Sequence, residues 1–484
     1  MEILAFDIVD SLISICFILN IFAAITIIFV EKKDPAPAMA WLLLLFLIPI
    51  LGFLLYIFFG QNIHRKRMFT IKQEDDEKVR ILFREHKQEL KDNKELVSLA
   101  LSGHDDLMRM LLGSNDSFLF AENQVKLYTD GNEKFRDLLN DIKAAKHHIH
   151  MEYYIIRNDR LANEVMTELA QKARAGVEVM LLVDGFGTQR LPRKFFQPFL
   201  EAGGKLTKFF PSLIPYVSIK ENFRNHRKIA VIDGKIGYVG GYNIGVEYLG
   251  EGELGPWRDC ALRIDGNGTQ GLQGRFILDW NFAAKTNLGL EPGYFPDPEM
   301  PLGEPLQIVS SGPDTKYNQI KESYVKLILS AKESVYLQTP YFIPDQTVND
   351  ALRIAALSGI DVRVMIPCKP DHPFVFWASY YNLGDLLDTG VKGYTYDKGF
   401  IHAKTCVVDG TVCSVGSANW DVRSFKLNFE TNAIVYDRRV ATEMKDAFLK
   451  DLEVSSEITQ ERFESRGNYI RFKEAIARMF MPLL

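Results

Sequence analysis

The chain has 484 residues, 47% of them hydrophobic and 25% charged, with a net charge of −5. That length suggests two to four domains, and the acidic balance excludes a polycation that binds nucleic acid by charge alone. Five cysteines without a C-x-x-C pair (Cys16, Cys260, Cys368, Cys406 and Cys413) exclude a disulfide framework or a cysteine zinc site, and they suit a reducing compartment.

Residues 11–30 form an apolar run interrupted inside only by Ser14, Asn20 and Thr26; residues 38–60 form a second, containing Pro49 and Gly52. Each is about long enough to cross roughly 30 Å of hydrocarbon at 1.5 Å per residue. With "EKKDPAP" as the turn, residues 1–60 are expected to form a transmembrane helical hairpin, its spans at about 8–30 and 38–60. Asp7 and Asp10 stand where a signal peptide carries basic residues. The cluster "HRKR" at residues 64–67 predicts a multi-pass protein of the cell membrane whose body stays cytoplasmic. Residues 61–120, charged and helical in pattern, read as a connector.

Beyond the connector the sequence repeats. "AKHHIHMEYYII" from Ala145 and "AKESVYLQTPYFI" from Ala331 each follow a helical pattern and enter a strand. "AGVEVMLLVD" from Ala175 matches "SGIDVRVMIP" from Ser358, where a glycine leaves a helix and a β-rich strand begins. "NHRKIAVIDG" from Asn225 and "IHAKTCVVDG" from Ile401 both read H-x-K-x-x-x-x-D. His226 and His402, Gly240 and Gly416, and Asn243 and Asn419 all keep one spacing of 176 residues. One such motif is a weak signal; two in register within an internal repeat are strong. The expected fold is α/β and duplicated, residues 121–300 and 301–455, packed about a pseudo-twofold axis that brings the motifs together.

If each motif lies on a strand, His226 and Lys228 share a face, and so do His402 and Lys404. Two ammonium groups suit a divalent cation badly, so neither metal nor cofactor is expected. They suit an anionic phosphoryl group, whose non-bridging oxygens lysines and the amides of Asn243 and Asn419 can hold. One histidine can attack phosphorus and the other can move the proton. Spacing does not say which does which. A catalytic imidazole needs an orienting partner. Asp259, 33 residues after His226, and Glu430, 28 residues after His402, are the candidates. Asp233 and Asp409 complete the motifs but have the wrong strand parity, which suits a structural or electrostatic role.

Two stretches point toward lipid. Residues 186–228 hold nine Lys or Arg against two Glu, with many Phe, as an anionic bilayer face requires; a solvated surface over core aromatics is the alternative. Residues 456–484 end in an amphipathic helix with Tyr469, Phe472, Ile476, Met479 and Phe480 on one stripe. It can lie on the membrane or pack on the body. His372 in "DHPFVFW" is a candidate for the lipid entrance or a plain loop residue.

The duplicated motif resembles the signature of the phospholipase D superfamily over about residues 124–453. "FFPS", "NHRKIAVIDGKIGYVGGYNIGVEYLG", "WRD", "SSGPD", "YFIPD" and "KPDHPFVFWAS", with the two N-terminal runs, look like the bacterial cardiolipin synthases. That resemblance implies two phospholipase D-like sandwich domains and transfer of a phosphatidyl group between two phosphatidylglycerol molecules, giving cardiolipin and glycerol. It implies His226 as nucleophile through a phosphatidyl-histidine and His402 as acid and base. Partners are then phosphatidylglycerol and anionic membrane lipid, with no nucleic acid expected and an oligomer possible. A membrane-bound phospholipase D, another phosphatidyltransferase, or a tethered nuclease are the competing activities. Gly241 departs from the superfamily, where serine is common; the second motif has Ser417.

Overall fold

The computed structural model describes residues 14–15, 17–31, 35–56, 103–115, 117–211, 223–297 and 300–480. Residues 17–25 are helical and continue as a π-type segment, Thr26–Glu31; α1 (Pro35–Leu47) and α2 (Pro49–Leu55) follow. These segments pack together: Ala23, Ile27, Trp41, Leu45 and Tyr56 are buried as one cluster. The second apolar run is broken at Ile48, because Pro49 has no N–H to offer Leu45 O. That carbonyl accepts instead from Asn20 Nδ2 at 3.1 Å, and Pro49 O accepts from the same group at 3.1 Å. Among the described residues no helix is long and apolar enough to cross a membrane. The outer surface of the segments is nonetheless apolar, with Phe22 63%, Phe29 70% and Phe46 72% exposed. Residues 64–67 and 74–94, the basic cluster and the charged stretch, lie outside the described residues.

After α3 (Asp105–Asn115) and β1 (Leu119–Phe120), the first unit runs β2 (Asn123–Tyr128), α4 (Gly131–Ala144), β3 (His148–Tyr153), α5 (Arg160–Arg174), β4 (Glu178–Asp184), α6 (Arg193–Glu201), β5 (Lys205–Phe209), β6 (Arg224–Asn225), β7 (Lys228–Ile232), β8 (Ile236–Gly240), β9 (Trp257–Arg258), β10 (Ala261–Gly266) and α7 (Thr269–Ala284). The second runs β11 (Leu306–Ser311), α8 (Gln319–Ser330), β12 (Ser334–Gln338), β13 (Phe342–Ile343), α9 (Gln346–Leu357), β14 (Asp361–Pro367), α10 (Pro373–Gly384), β15 (Lys392–Tyr396), β16 (Phe400–Ile401), β17 (Thr405–Val408), β18 (Val412–Gly416), β19 (Trp420–Asp421), α11 (Val422–Lys426), β20 (Asn428–Val435) and α12 (Arg438–Leu452). β21 (Ser455–Ile458), α13 (Gln460–Glu464) and α14 (Asn468–Phe480) close the chain.

The helices form where the apolar spacing asks for them. In α4, Phe135, Leu138, Leu139 and Ile142 recur at helical spacing and are buried, and Asp130 caps the first turn by accepting from Asn132 N at 2.8 Å. Gly176 and Gly359 end α5 and α9 with φ near +90°, the left-handed conformation expected of those two positions.

The first sheet has the order β2-β10-β8-β7-β3-β4-β5; the middle of the second has β11-β20-β18-β17-β12-β14-β15. Each succession makes four antiparallel pairings and then two parallel ones. The α/β unit is therefore duplicated, as the repeat predicts. Ile229, Val231, Val239 and Leu262 of the first sheet share a buried cluster with Val407, Val415, Ala433 and Val435 of the second. Each such side chain contributes roughly 1.5–3 kcal/mol on leaving water, so the two units stack into one body. Helices α7 and α12 each touch strands of both sheets.

Asp233 and Asp409 sit at the ends of β7 and β17 with φ of 53°, and a glycine of positive φ follows each. Asp233 accepts from the amides of Lys146, His147 and His148, and Asp409 from those of Lys332, Glu333 and Ser334, at 2.7–3.0 Å. They tie each hairpin to the strand beside it, one strand length from the motif histidine. Grouping them with the catalytic residues is corrected to a structural role, as their parity predicts.

Helix α14 packs on α10 through Glu474 and Ala477, both buried, and Arg466 holds Glu474 at 3.0 Å. Tyr469 and Phe472 point outward, 70% and 62% exposed. The helix thus covers the body with one edge of its surface and keeps an aromatic edge free of it. The side chains of residues 479 and 480 lie outside the described ones.

Candidate active site

The motif histidines do not lie on regular strands, contrary to the sequence expectation. β6 ends at Asn225 and β7 begins at Lys228; β16 ends at Ile401 and β17 begins at Thr405. Ahead of each histidine the chain leaves its own sheet. β6 pairs in parallel with β20, Arg224 opposite Asn428, and β16 pairs with β9, Ile401 opposite Arg258. His226 N donates to Phe429 O at 2.9 Å, and His402 N donates to Arg258 O at 2.7 Å. The exchange is reciprocal, as a twofold relation between the units requires.

This exchange decides the acid partners. His226 Nδ1 lies 3.0 Å from both carboxylate oxygens of Glu430. His402 Nδ1 lies 2.5 Å from Asp259 Oδ2. Each histidine is oriented by the carboxylate of the other unit, so chain order gives the wrong pairing. Buried arginines fix the crossing. Arg227 donates from Nε to Glu430 O and Thr431 Oγ1 and from Nη1 to Asp279 at 2.6 Å. Arg258 donates to Asp259 O at 2.7 Å and pairs with Asp451 at 2.9 Å. Removing one partner of such a buried pair typically costs about 3–5 kcal/mol.

The two pairs differ in proton content. Around His226 Nδ1 stand only acceptors: Glu430 Oε1, Glu430 Oε2 and Ser417 O, the last at 3.1 Å. The ring proton therefore sits on Nδ1 and leaves Nε2 with a lone pair. Glu430 also accepts from Ser417 Oγ at 2.5 Å and Asn428 Nδ2 at 3.2 Å. Burial pushes its carboxyl up, but His226, Lys228 and these donors outweigh burial and hold it below the usual range. Burial pushes the His226 imidazole down to about 4. At neutral pH this pair keeps a bare Nε2. Burial pushes Asp259 the other way, up to about 7, and burial with the two lysines drives His402 well below its ordinary value. The His402–Asp259 pair thus holds an additional proton near neutrality. Environments that separate two pairs in this way separate a nucleophile from an acid.

Lys228 and Lys404 are buried beside the histidines, and each donates to its own motif's histidine carbonyl at 2.5 Å. Burial lowers them to about 7 and about 8. Asn243 and Asn419 flank the pair. Asn243 accepts from Ile155 N and donates to Tyr248 Oη at 3.0 Å; Asn419 is buried, and its Oδ1 has no partner among the described residues. Sequence reasoning missed the aromatic walls. Tyr154 packs 4.8 Å from the His226 ring, while Tyr248 and Trp257 pack 5.7 Å and 5.1 Å from His402. Their signal was the position of Tyr154 in a repeated strand and of Trp257 beside Asp259. Cys406 and Cys413 are fully buried, apolar neighbours of the core. His372 is exposed at the start of α10.

Gly241 is more than a lost hydroxyl. A Cβ there would stand 2.1 Å from Asp259 Oδ1 and 2.7 Å from its Cγ. Only hydrogen fits against the carboxylate that orients His402. Gly241→Ala is expected to lower kcat about 10²-fold by displacing Asp259, with overpacking of about 1–3 kcal/mol in a denaturation curve. Full activity in that variant would contradict the placement of Asp259.

Comparison with known proteins gives three findings. The family model described as cardiolipin synthase, phospholipase D-like domain matches residues 138–252 and 324–452, and a phospholipase D-nuclease N-terminal model matches residues 18–61. The chain is 48% identical over 480 residues to a cardiolipin synthase of Staphylococcus aureus, covering 99% of this chain and 97% of that one. It is 48% identical over 480 residues to the major cardiolipin synthase ClsA of Bacillus subtilis, covering 98% and 99%. A phosphatidylserine synthase structure from Haemophilus influenzae shares the fold at a TM-score of 0.59 and 16% identity, covering 78% of this chain and 97% of that one.

Proposed function

The chain belongs to the cardiolipin synthase family of the phospholipase D superfamily, and from that premise we propose how its residues carry out the phosphatidyl transfer. It is a phosphatidyltransferase of phospholipid synthesis. The observation that carries the assignment of roles is the unequal proton content of the two crossed pairs. His226 Nε2, bare, attacks the phosphorus of one phosphatidylglycerol; a P–N bond forms, the P–O bond to the terminal glycerol breaks, and the departing oxygen takes the proton of His402. His402, now neutral, accepts the hydroxyl proton of a second phosphatidylglycerol as its oxygen attacks, and the P–N bond breaks. The products are cardiolipin and glycerol. Lys228 and Lys404 balance the charge on the non-bridging oxygens in both steps, and Asn243 and Asn419 are the amide donors nearest to them.

Protonated lysines capture the anion. In the free enzyme they lose their protons as pH rises through about 7 and about 8, so kcat/KM is expected to fall above neutrality. A pH profile of kcat/KM that stays level well into the alkaline range would contradict this. The functional reading itself is tested with the full chain in phosphatidylglycerol vesicles and mass analysis of products. Cardiolipin and glycerol are expected. Phosphatidic acid alone would show a hydrolase, and DNA cleavage without lipid turnover a nuclease.

The N-terminal segments, with their apolar outer surface, fit a membrane anchor of two spans, and the basic residues 64–67 fit a cytoplasmic body. The exposed Tyr469 and Phe472, beside Arg471, suit contact with the same surface. A reporter cysteine at Glu453 should escape an impermeant thiol reagent in intact cells; labelling there would refute the orientation.

A further inference from the structure

One cluster beside the histidines takes no part in the steps above. Arg224, two residues before His226, stacks its guanidinium 3.9 Å from the Phe186 ring centroid and donates to Phe223 O at 3.3 Å. The parallel pairing of β6 with β20 sets Arg224 opposite Asn428, and Arg423 projects from α11, the short helix that leads into β20. After burial, the charge of Arg224 is the next cause that disfavours the charge on Arg423, so the two guanidinium groups are neighbours. Tyr154 links them to the chemistry. It responds to both arginines, packs 4.8 Å from the His226 ring, and lies 5.2 Å from Lys228 Nζ. The nearby carboxyl groups are engaged with backbone. Asp184 accepts from the amides of Phe186, Gly187 and Asn225, and Asp421 caps α11 by accepting from Ser424 N at 2.6 Å.

Two like charges side by side in a half-buried cleft repel, and an anion with several oxygens relieves the repulsion through forked hydrogen bonds. The reaction brings such an anion. The donor's phosphoryl group occupies Lys228 and Lys404, but the acceptor lipid carries a phosphodiester of its own, one glycerol away from the hydroxyl that attacks. Resting on the functional reading above, we propose that Arg224 and Arg423 form the acceptor subsite, which binds the phosphodiester of the second phospholipid while its terminal hydroxyl reaches the phosphatidyl-histidine at His226. A small alcohol acceptor has no phosphodiester and gains nothing from this subsite.

The test compares two rates in the same preparation of the full chain, in vesicles of phosphatidylglycerol diluted with a zwitterionic lipid. One rate is cardiolipin formation. The other is exchange of labelled free glycerol into phosphatidylglycerol. Both need the donor and both histidines; only the first has a phospholipid acceptor. Arg224→Gln and Arg423→Gln should each lower the ratio of cardiolipin formation to glycerol exchange at least about tenfold, as loss of a charge-assisted hydrogen bond implies. Arg224→Lys and Arg423→Lys should restore part of it. A ratio unchanged in either glutamine variant, including a variant in which both rates fall together, would overturn the subsite. Failure of the unsubstituted protein to form cardiolipin would instead overturn the functional reading and this subsite with it, so the two failures are told apart.

Discussion

His226→Ala is expected to abolish phosphatidyl transfer with every substrate, whereas His402→Ala is expected to abolish it only where the leaving group needs a proton. Loss of a covalent nucleophile costs far more than the roughly 10²–10⁴-fold of simple acid–base assistance. The difference in kind is the sharper test. A phosphatidyl ester of a good leaving group, labelled at phosphorus, should still label His402→Ala, because the first step then needs no acid. It should not label His226→Ala. Quenching in base preserves a phosphohistidine better than quenching in acid. Label on His226→Ala and none on His402→Ala would reverse the roles drawn from the two carboxylate pairs.

The crossing of those pairs gives the second large effect. Glu430→Gln should behave like a weakened His226, and Asp259→Asn like a weakened His402. Replacing an orienting carboxylate by an amide commonly costs on the order of 10⁴-fold, because the imidazole loses its tautomer. With the activated ester, Glu430→Gln should still be slow to acquire label, since His226 Nδ1 loses its anionic acceptor. Asp259→Asn should acquire label at nearly the unsubstituted rate and be slow only in passing it on. The opposite pattern would follow from pairing each acid with the histidine of its own unit, and its appearance would refute the crossed arrangement.

How much of this was legible in the chain follows from the range of the interactions. The repeat, the α/β units, the glycines that end α5 and α9, and the histidine and lysine positions are local or periodic, and the sequence carries them directly. Asp259 and Glu430 were also recognisable as the orienting acids. Their exchange was not, because it depends on β6 and β16 pairing with strands of the opposite unit, a contact that no local pattern encodes. The same crossing explains why His226 and His402 sit in breaks between strands, so that strand parity was the wrong frame for them and the right one for Asp233 and Asp409. Gly241 looked like a missing hydroxyl because its close approach is to Asp259, 18 residues later in the chain. The second apolar run read as one helix because hydropathy does not register the missing N–H of Pro49, which only the break at Ile48 reveals.

The central claim is a double displacement at phosphorus through His226. It is tested most directly by stereochemistry. Phosphatidylglycerol made chiral at phosphorus by isotopic oxygen is converted to cardiolipin by the full chain, and the configuration at the transferred phosphorus is read in the product. Two in-line displacements, one by His226 and one by the acceptor hydroxyl, predict net retention. Net inversion would mean that the second phospholipid attacks the first directly, and the phosphatidyl-histidine mechanism would be wrong.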